Sequence, residues 1–381
     1  VLHLDSAQVR EAVQADPESI LIRERPVLLD EWQKVPEVWD VVRRAVDRDR
    51  TPAQFLLTGS ATPRAGATAH SGAGRITRVR MRPLAFSERG VETPSVSLEH
   101  LLRGGAPAVG GHTELRLADY VAEIMASGFP GLRGLPPRLL RGELDSYLRN
   151  AVDRDIPEQG IAVRKPAVLL DWLRSYAAAT SSTASYTEIL DAASAGLADK
   201  PARTTTAGYR DALQQLWLVD PLPAWAPRGR EFARLGQTPV HHLADPALAA
   251  RLLGLTELSL LDGAGVPLGP QHGTLLGRLF ESLATLSVRV LAQRAEATVA
   301  HLRTRNGDRE IDLLVTDPEG RVVAMEVKLS STISDRDVRH LNWFAEAYGS
   351  RVIDRVVITT GTTAYRRKDG VAVVPLALLG P

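Results

Sequence analysis

The sequence predicts a multidomain α/β protein, on three observations. A short apolar run ending in two acids, Arg25-Pro26-Val27-Leu28-Leu29-Asp30-Glu31, precedes an amphipathic helix and a second strand. Between residues 165 and 227, helical segments are separated by a Ser/Thr-rich turn and by Gly196. Near the end, Glu310-Ile311-Asp312-Leu313-Leu314-Val315 and Val322-Val323-Ala324-Met325-Glu326-Val327-Lys328 read as strands around Asp317-Pro318-Glu319-Gly320, which is turn chemistry. A length of 381 residues calls for two or three domains. The hydrophobic fraction, 44%, suffices for their cores.

Composition narrows the function classes. The net charge of +1 gives no global basic field, so nucleic-acid binding would need local patches. The absence of Cys excludes disulfides, thiolate zinc sites and a Cys nucleophile. No apolar run is long enough to span a bilayer and the start lacks a signal-peptide pattern, so a cytoplasmic location without a membrane partner is expected. Position 1 is Val, which predicts that the sequence begins inside a longer natural chain or at a misassigned start.

In the first third, the strand ending at Asp30-Glu31 is followed by Trp32-Gln33-Lys34-Val35-Pro36 and a helix through Val38, Val41, Val42 and Val46. The next strand, Gln54-Phe55-Leu56-Leu57-Thr58, closes on Gly59-Ser60-Ala61-Thr62. Polar residues at the C-terminal ends of such strands lie where ligands bind in open α/β sheets. After a Gly/Ala-rich loop come Gly74-Arg75-Ile76 and Pro83-Leu84-Ala85-Phe86-Ser87-Glu88. These segments, in this order, resemble the AAA-type ATPases that carry a C-terminal DUF4143 domain. The resemblance implies ATP and Mg²⁺ as cofactors, with Asp30 beside the metal and Glu31 activating water. It further implies Ser60 as a sensor and Arg75 as a phosphate-sensing residue. The alternative for Asp30-Glu31 is a solvated strand end. The family's phosphate grip, a Gly-rich loop ending in Gly-Lys-Ser/Thr, has no counterpart, because no Gly-Lys pair occurs in the sequence. That loop is expected upstream of Val1, or lost, and the polypeptide as given is expected to bind ATP poorly.

The middle reads as helices over residues 112–160, punctuated by Gly128-Phe129-Pro130-Gly131 and Leu135-Pro136-Pro137. Helices follow over 168–179, 186–195 and 201–216, then short strands at 216–219 and 224–225, a winged-helix pattern. The last helix would present Arg203, Thr204, Tyr209 and Arg210 to nucleic acid. A pure protein–protein spacer accounts for the same pattern.

Toward the C-terminus, the adjacent His241 and His242 face opposite sides of a strand and suggest a surface or junction role. A long helix over about 274–293 carries an apolar stripe through Leu275, Leu276, Leu279, Phe280, Leu283, Leu286 and Val290, with Glu281 nearly opposite. With Gly320 in the left-handed position of a three-residue loop, Asp317 pairs with Arg321 and Asp312 with Glu326. Glu326 and Lys328 then share a face with Asp312, bringing hard oxygen ligands for Mg²⁺ beside an amine. A helix over 335–347 and strands over 351–359 and 371–378 complete the segment.

Asp312 followed by Glu326-Val327-Lys328 resembles the PD-(D/E)XK nuclease-like superfamily. Lys328 is one of only five Lys in an Arg-rich chain, and Arg is a poor substitute for a compact ammonium. The resemblance implies Asp312 and Glu326 as metal ligands, Lys328 in water activation and Glu281 as an auxiliary acid. A solvent-facing Glu explains the position of Glu281 equally, and an exposed hairpin explains the Glu–Lys–Asp cluster.

The expected architecture is a partial P-loop ATPase sheet (1–118), a helical linker (119–164), a winged-helix-like unit (165–227) and a PD-(D/E)XK-like α/β domain (228–381). The expected function is an ATPase-family protein with a metal-dependent, nuclease-like C-terminal domain that acts on or is regulated by nucleic acid. Further copies of the chain are candidate partners. The alternative is a non-catalytic DNA-binding or protein-interaction module with a relic nuclease fold, in a defence or toxin–antitoxin setting.

Overall fold

The computed structural model describes residues 1–59, 73–158, 161, 163, 165–195, 203–226, 238–262, 274–304 and 307–381. Ser60, Gly196, residues 231–234 and most of the loop 262–273 therefore lie outside the described residues.

Three short strands, β1 (Leu2–His3), β2 (Val27–Asp30) and β3 (Phe55–Thr58), form a parallel sheet in that order. Helix α1 (Ala7–Ala15) connects β1 toward β2, and α2 (Val38–Arg48) connects β2 to β3. The apolar positions of α2 recur at helical spacing, so Val38, Trp39, Val41, Val42 and Ala45 all face inward. They pack with Leu2, Leu4, Val27 and Leu29 in a core of their own, where Trp32 stacks on Trp39 at 4.9 Å.

A second core runs from Phe86 to Leu379. It draws on β4 (Val96–Ser97) and α3 (Leu98–Arg103), which the sequence groups with the first unit together with the exposed β5 (Gly111–His112). Leu98, Leu101 and Leu102 are buried in this second core, and β5 pairs with a C-terminal strand. Packing thus joins residues 84–118 to the C-terminal half.

The middle is helical. It contains α4 (Leu117–Met125), α5 (Pro137–Asn150), α6 (Ile156–Glu158), α7 (Pro166–Ala178), α8 (Tyr186–Ala193), α9 (Arg203–Gln215), α10 (Pro246–Leu252) and α11 (Glu257–Leu261). The strands expected at 216–219 and 224–225 do not form. Trp217 takes a left-handed φ of 60°, which turns the chain. Val219, Leu222 and Ala224 make only isolated bridges, to Leu243, Val240 and His301.

Helix α12 (Leu275–Arg294) leads into β6 (Thr298–Arg303), β7 (Glu310–Thr316), β8 (Val322–Lys328), α13 (Asp335–Tyr348), β9 (Val352–Thr359), β10 (Thr363–Arg366) and β11 (Ala372–Pro375). Among the described residues these strands form a seven-stranded mixed sheet, ordered β5-β10-β11-β9-β8-β7-β6. The last expected strand stops at Pro375. A 3₁₀ turn follows, and β12 (Leu379–Gly380) pairs with β4 instead. The apolar stripe expected on α12 faces the core, with Leu276, Leu279, Phe280, Leu283 and Leu286 buried. Arg278, Ser282, Thr285 and Ser287 are buried with the leucines, so the helix is enclosed on its polar side too.

Candidate functional site

The β7–β8 turn follows its chemistry. Gly320 has φ 85°, the Asp317 N–H donates to the Arg321 carbonyl at 3.0 Å, and paired residues run from Thr316↔Val322 to Leu313↔Met325. This is the register expected from the turn, but the ladder stops one pair before Asp312 and Glu326. Between Leu314↔Ala300 and Ile311↔Leu302, β7 holds one residue more than β6, a bulge at Asp312 and Leu313 opposite His301. A bulge re-aims its side chains. Here the Asp312 carboxylate accepts the Val327 backbone N–H at 2.8 Å, so side chain replaces main chain in holding the two strands.

Glu326 is buried, and its Oε2 accepts from Lys328 Nζ at 2.6 Å. Its other oxygen, Oε1, is buried without a hydrogen-bond partner. An unpaired carboxylate oxygen in the interior is costly, which makes this atom the least satisfied part of the site. Burial, then the Asp312 charge, push the Glu326 carboxyl well above the usual carboxylate range. Burial, then Asp312 and Glu310, do the same to Glu281 on α12. Glu281 is partly exposed, and the charges of Asp312, Glu310 and Glu326 reach its carboxyl. Burial works against the Lys328 ammonium, yet Asp312 and Glu326 outweigh it and hold the amine protonated above its ordinary range.

Glu310 belongs to the same group, with its carboxyl raised by burial and then by Asp312. Sequence reasoning missed it, although its position two residues before Asp312 on a strand was a usable signal. Four carboxylates therefore surround one Lys. Among the described residues no group of three or more His, Cys, Asp or Glu side chains forms a preset metal cage. The donor set nevertheless fits a hard divalent cation: oxygen ligands, surplus negative charge and the orphaned Glu326 Oε1.

In the first unit, register aligns His3, Asp30 and Thr58 at the C-terminal ends of the strands. Thr58 Oγ1 donates to Asp30 Oδ1 at 2.7 Å, and His3 Nδ1 lies 3.0 Å from Oδ2. The Thr58 hydrogen bond, then that of His3, holds the Asp30 carboxyl below its usual range. Glu31 takes a left-handed φ of 53° and accepts from Gln33 Nε2 at 2.6 Å. Arg75 Nε donates to Asp47 Oδ1 at 2.5 Å near the end of α2.

The α9 surface also departs from expectation. Tyr209 is buried in the second core, so its ring is unavailable to a base. The Arg210 guanidinium lies 4.5 Å from the centroid of Tyr186 and bonds Asp211 Oδ1 at 3.1 Å. The Arg203 side chain lies outside the described residues. His241 and His242 are buried rather than at the surface. His241 sits between the Tyr176 and Tyr186 rings and its Nε2 contacts the Ala184 carbonyl, while His242 Nδ1 bonds Ser282 Oγ at 3.2 Å.

Burial, then Arg289, push the His242 imidazole down to about 3. A depressed His contributes stability above its unfolded value of 6.5, and that contribution is lost as pH falls from there toward 3. At pH 5, one and a half units below 6.5, the loss from this residue is about 2 kcal/mol. Urea unfolding of His242→Gln is expected to lose less stability than wild type between pH 7 and pH 5. Equal losses would rule out a buried neutral imidazole.

Comparison with known proteins finds three family matches along the chain. The family described as an AAA domain matches residues 1–90, a domain of unknown function (DUF8612) matches 117–259, and a second (DUF4143) matches 276–379. The chain thus carries an AAA domain at its N-terminus and DUF4143 at its C-terminus, the pairing that the sequence motifs identify. The uncharacterized proteins Rv2008c of Mycobacterium tuberculosis and Mb2031c of Mycobacterium bovis are each 28% identical to it over 317 residues. The match covers 81% of this chain and 59% of each relative, so the chain spans under two thirds of their length. No solved structure matches. Among the described residues no helix is long and apolar enough to cross a membrane.

Proposed function

We propose that this AAA- and DUF4143-containing chain is an ATPase-type protein whose C-terminal domain binds a divalent cation for nuclease-like chemistry on a phosphodiester. The buried, unpartnered Glu326 Oε1 beside Asp312 carries the reading. Asp312 and Glu326 would hold the ion. A bound Mg²⁺ would supply Lewis-acid polarisation of a phosphoryl oxygen and a more acidic water. Lys328 stays protonated, so it places positive charge where an oxyanion would develop. Glu281, its carboxyl raised by burial and by the neighbouring acids, is the group placed to exchange a proton within the site. In the first unit Asp30 remains ionised and suits the metal side of a nucleotide site, with Glu31 as its water-activating neighbour. The sequence has no Gly-Lys pair for the phosphates, so weak ATP binding by this polypeptide belongs to the proposal.

A second reading, an interaction module without catalysis, is favoured by the closed Lys328–Glu326 pair, which satisfies the amine internally. Calorimetric titration of Mn²⁺ into the full chain separates the two. The catalytic reading expects a stoichiometric site in wild type that Asp312→Asn/Glu326→Gln removes, followed by metal-dependent cleavage of DNA or RNA. Full cleavage by the double variant would sink it.

A further inference from the structure

The segment 76–84 runs from the first core to the second. Ile76 packs against the first core and the Arg78 guanidinium lies 5.8 Å from the Trp39 centroid. The next alternate residues turn to the other unit. Arg80 Nη1 donates to Asp220 Oδ1 at 2.6 Å, and Arg82 Nε donates to Asp220 Oδ2 at 2.9 Å. Asp220 is only 5% exposed and also pairs with Arg289 of α12 at 3.0 Å. One turn further on, Gln293 completes the attachment: its Nε2 donates to the Arg80 carbonyl at 3.1 Å and its Oε1 accepts from Arg82 Nη1 at 3.1 Å.

Both Asp220 partners on the segment and its partner on α12 therefore meet at one buried carboxylate. Helix α12 also carries Glu281, eight residues before Arg289, or about 12 Å along the axis. Arg278, Glu281, Ser282, Thr285, Arg289 and Gln293 follow one another at helical spacing, so the clamp and the acidic site lie along one polar seam. Close packing lets such a helix shift as a body more readily than bend, and coupling between sites needs a contiguous physical path of this kind.

We infer that residues 76–84 are a coupling strap: through Asp220 and α12, the position of the AAA unit controls the placement of Glu281. The coupling stands on the clamp geometry alone, and its consequence for metal affinity rests on the proposed cation site. The strap predicts that a displacement of the first unit changes the cation site without direct contact.

The test uses the full chain with Arg80→Gln/Arg82→Gln, which leaves the Asp220–Arg289 pair intact and so retains the fold. Arg78→Ala serves as a second variant that loosens only the Trp39 end. Hydrogen exchange is read in peptides covering the strap and residues 278–285, and Mn²⁺ affinity is read by calorimetry. In the double variant, exchange is expected to rise about tenfold in both peptides. Mn²⁺ affinity is expected to fall about fivefold or more. Arg78→Ala, which frees the AAA end, is expected to speed exchange at the strap's first residues and, by a smaller factor, in 278–285; no change in 278–285 overturns control by the AAA unit. Faster exchange in the strap with residues 278–285 unchanged in the double variant overturns the coupling, as does a strap whose exchange stays slow without both arginines. If wild type binds no Mn²⁺, the cation-site reading fails by itself, and the exchange at 278–285 still decides the coupling.

Discussion

At pH 8 and without metal, Asp312→Asn/Glu326→Gln is expected to be more stable than wild type, by about 1–3 kcal/mol. The carboxyls of Glu281, Glu310 and Glu326 are raised, by burial first and by neighbouring acids second. A raised carboxyl contributes stability that is fully present below its unfolded value, here 4.5, and is lost as pH rises through the folded value. The acidic cluster therefore weakens the metal-free fold as the solution becomes alkaline. The amides relieve two charges while keeping the shapes and the acceptor atoms that receive the Val327 N–H and the Lys328 amine. Divalent cation should reverse the order. Binding at a thousandfold excess over Kd stabilises by about 4.1 kcal/mol, more than the whole difference, and only wild type retains the site. Thermal unfolding of both proteins at pH 5 and pH 8, with and without Mn²⁺, reads all the terms. His242 works in the opposite direction at low pH, but equally in both proteins, so it cancels from the difference. A double variant less stable than wild type at pH 8 would mean that the acids support the fold without a cation.

Such a cluster was legible only where local rules govern it. The turn at Asp317-Pro318-Glu319-Gly320 sets the hairpin register, and turn chemistry needs only a few adjacent residues. The same holds for the Asp30-Glu31 strand end, whose neighbours Thr58 and His3 follow from parallel register. The bulge at Asp312 was not legible, because it depends on how β6 meets β7 across the intervening loop. Tyr209 read as a nucleic-acid contact because a helix face exposes no sign of what will cover it; α9 packs that face into the second core. For His241 and His242 the junction alternative fits and the surface one does not, since alternation on a strand says which sides they face and not that both sides are covered. The polar residues of α12 hid its full burial, as their partners, Ser282 with His242 and Arg289 with Asp220, lie 40 and 69 positions away. The pairing of Arg80 and Arg82 was not legible either, because their common carboxylate stands roughly 140 residues downstream.

That carboxylate sets the other large expected effect. Asp220→Ala should destabilise the chain by about 3–5 kcal/mol, the cost of breaking a buried ion pair by removing one partner. Asp220 faces Arg80, Arg82 and Arg289 at 2.6, 2.9 and 3.0 Å, so the site already holds more positive than negative charge. Burial opposes the Asp220 charge, but Arg289, Arg80 and Arg82 together hold the carboxyl below its usual range. Burial first, and the Arg82 and Arg80 charges with it, push Arg289 down to about 10 despite the opposing pull of Asp220. Without Asp220, three guanidinium groups would repel one another with no counter-charge between them. Arg80→Met should cost far less, about 1 kcal/mol, because it removes one of the surplus cations and leaves two pairs intact. The apolar Met chain can also stay against Trp217, which the Arg80 guanidinium now covers at 4.6 Å. Urea unfolding of the two variants at pH 7 tests the ordering. If Arg80→Met matches Asp220→Ala, the clamp is held by strap packing, and the carboxylate is not its centre.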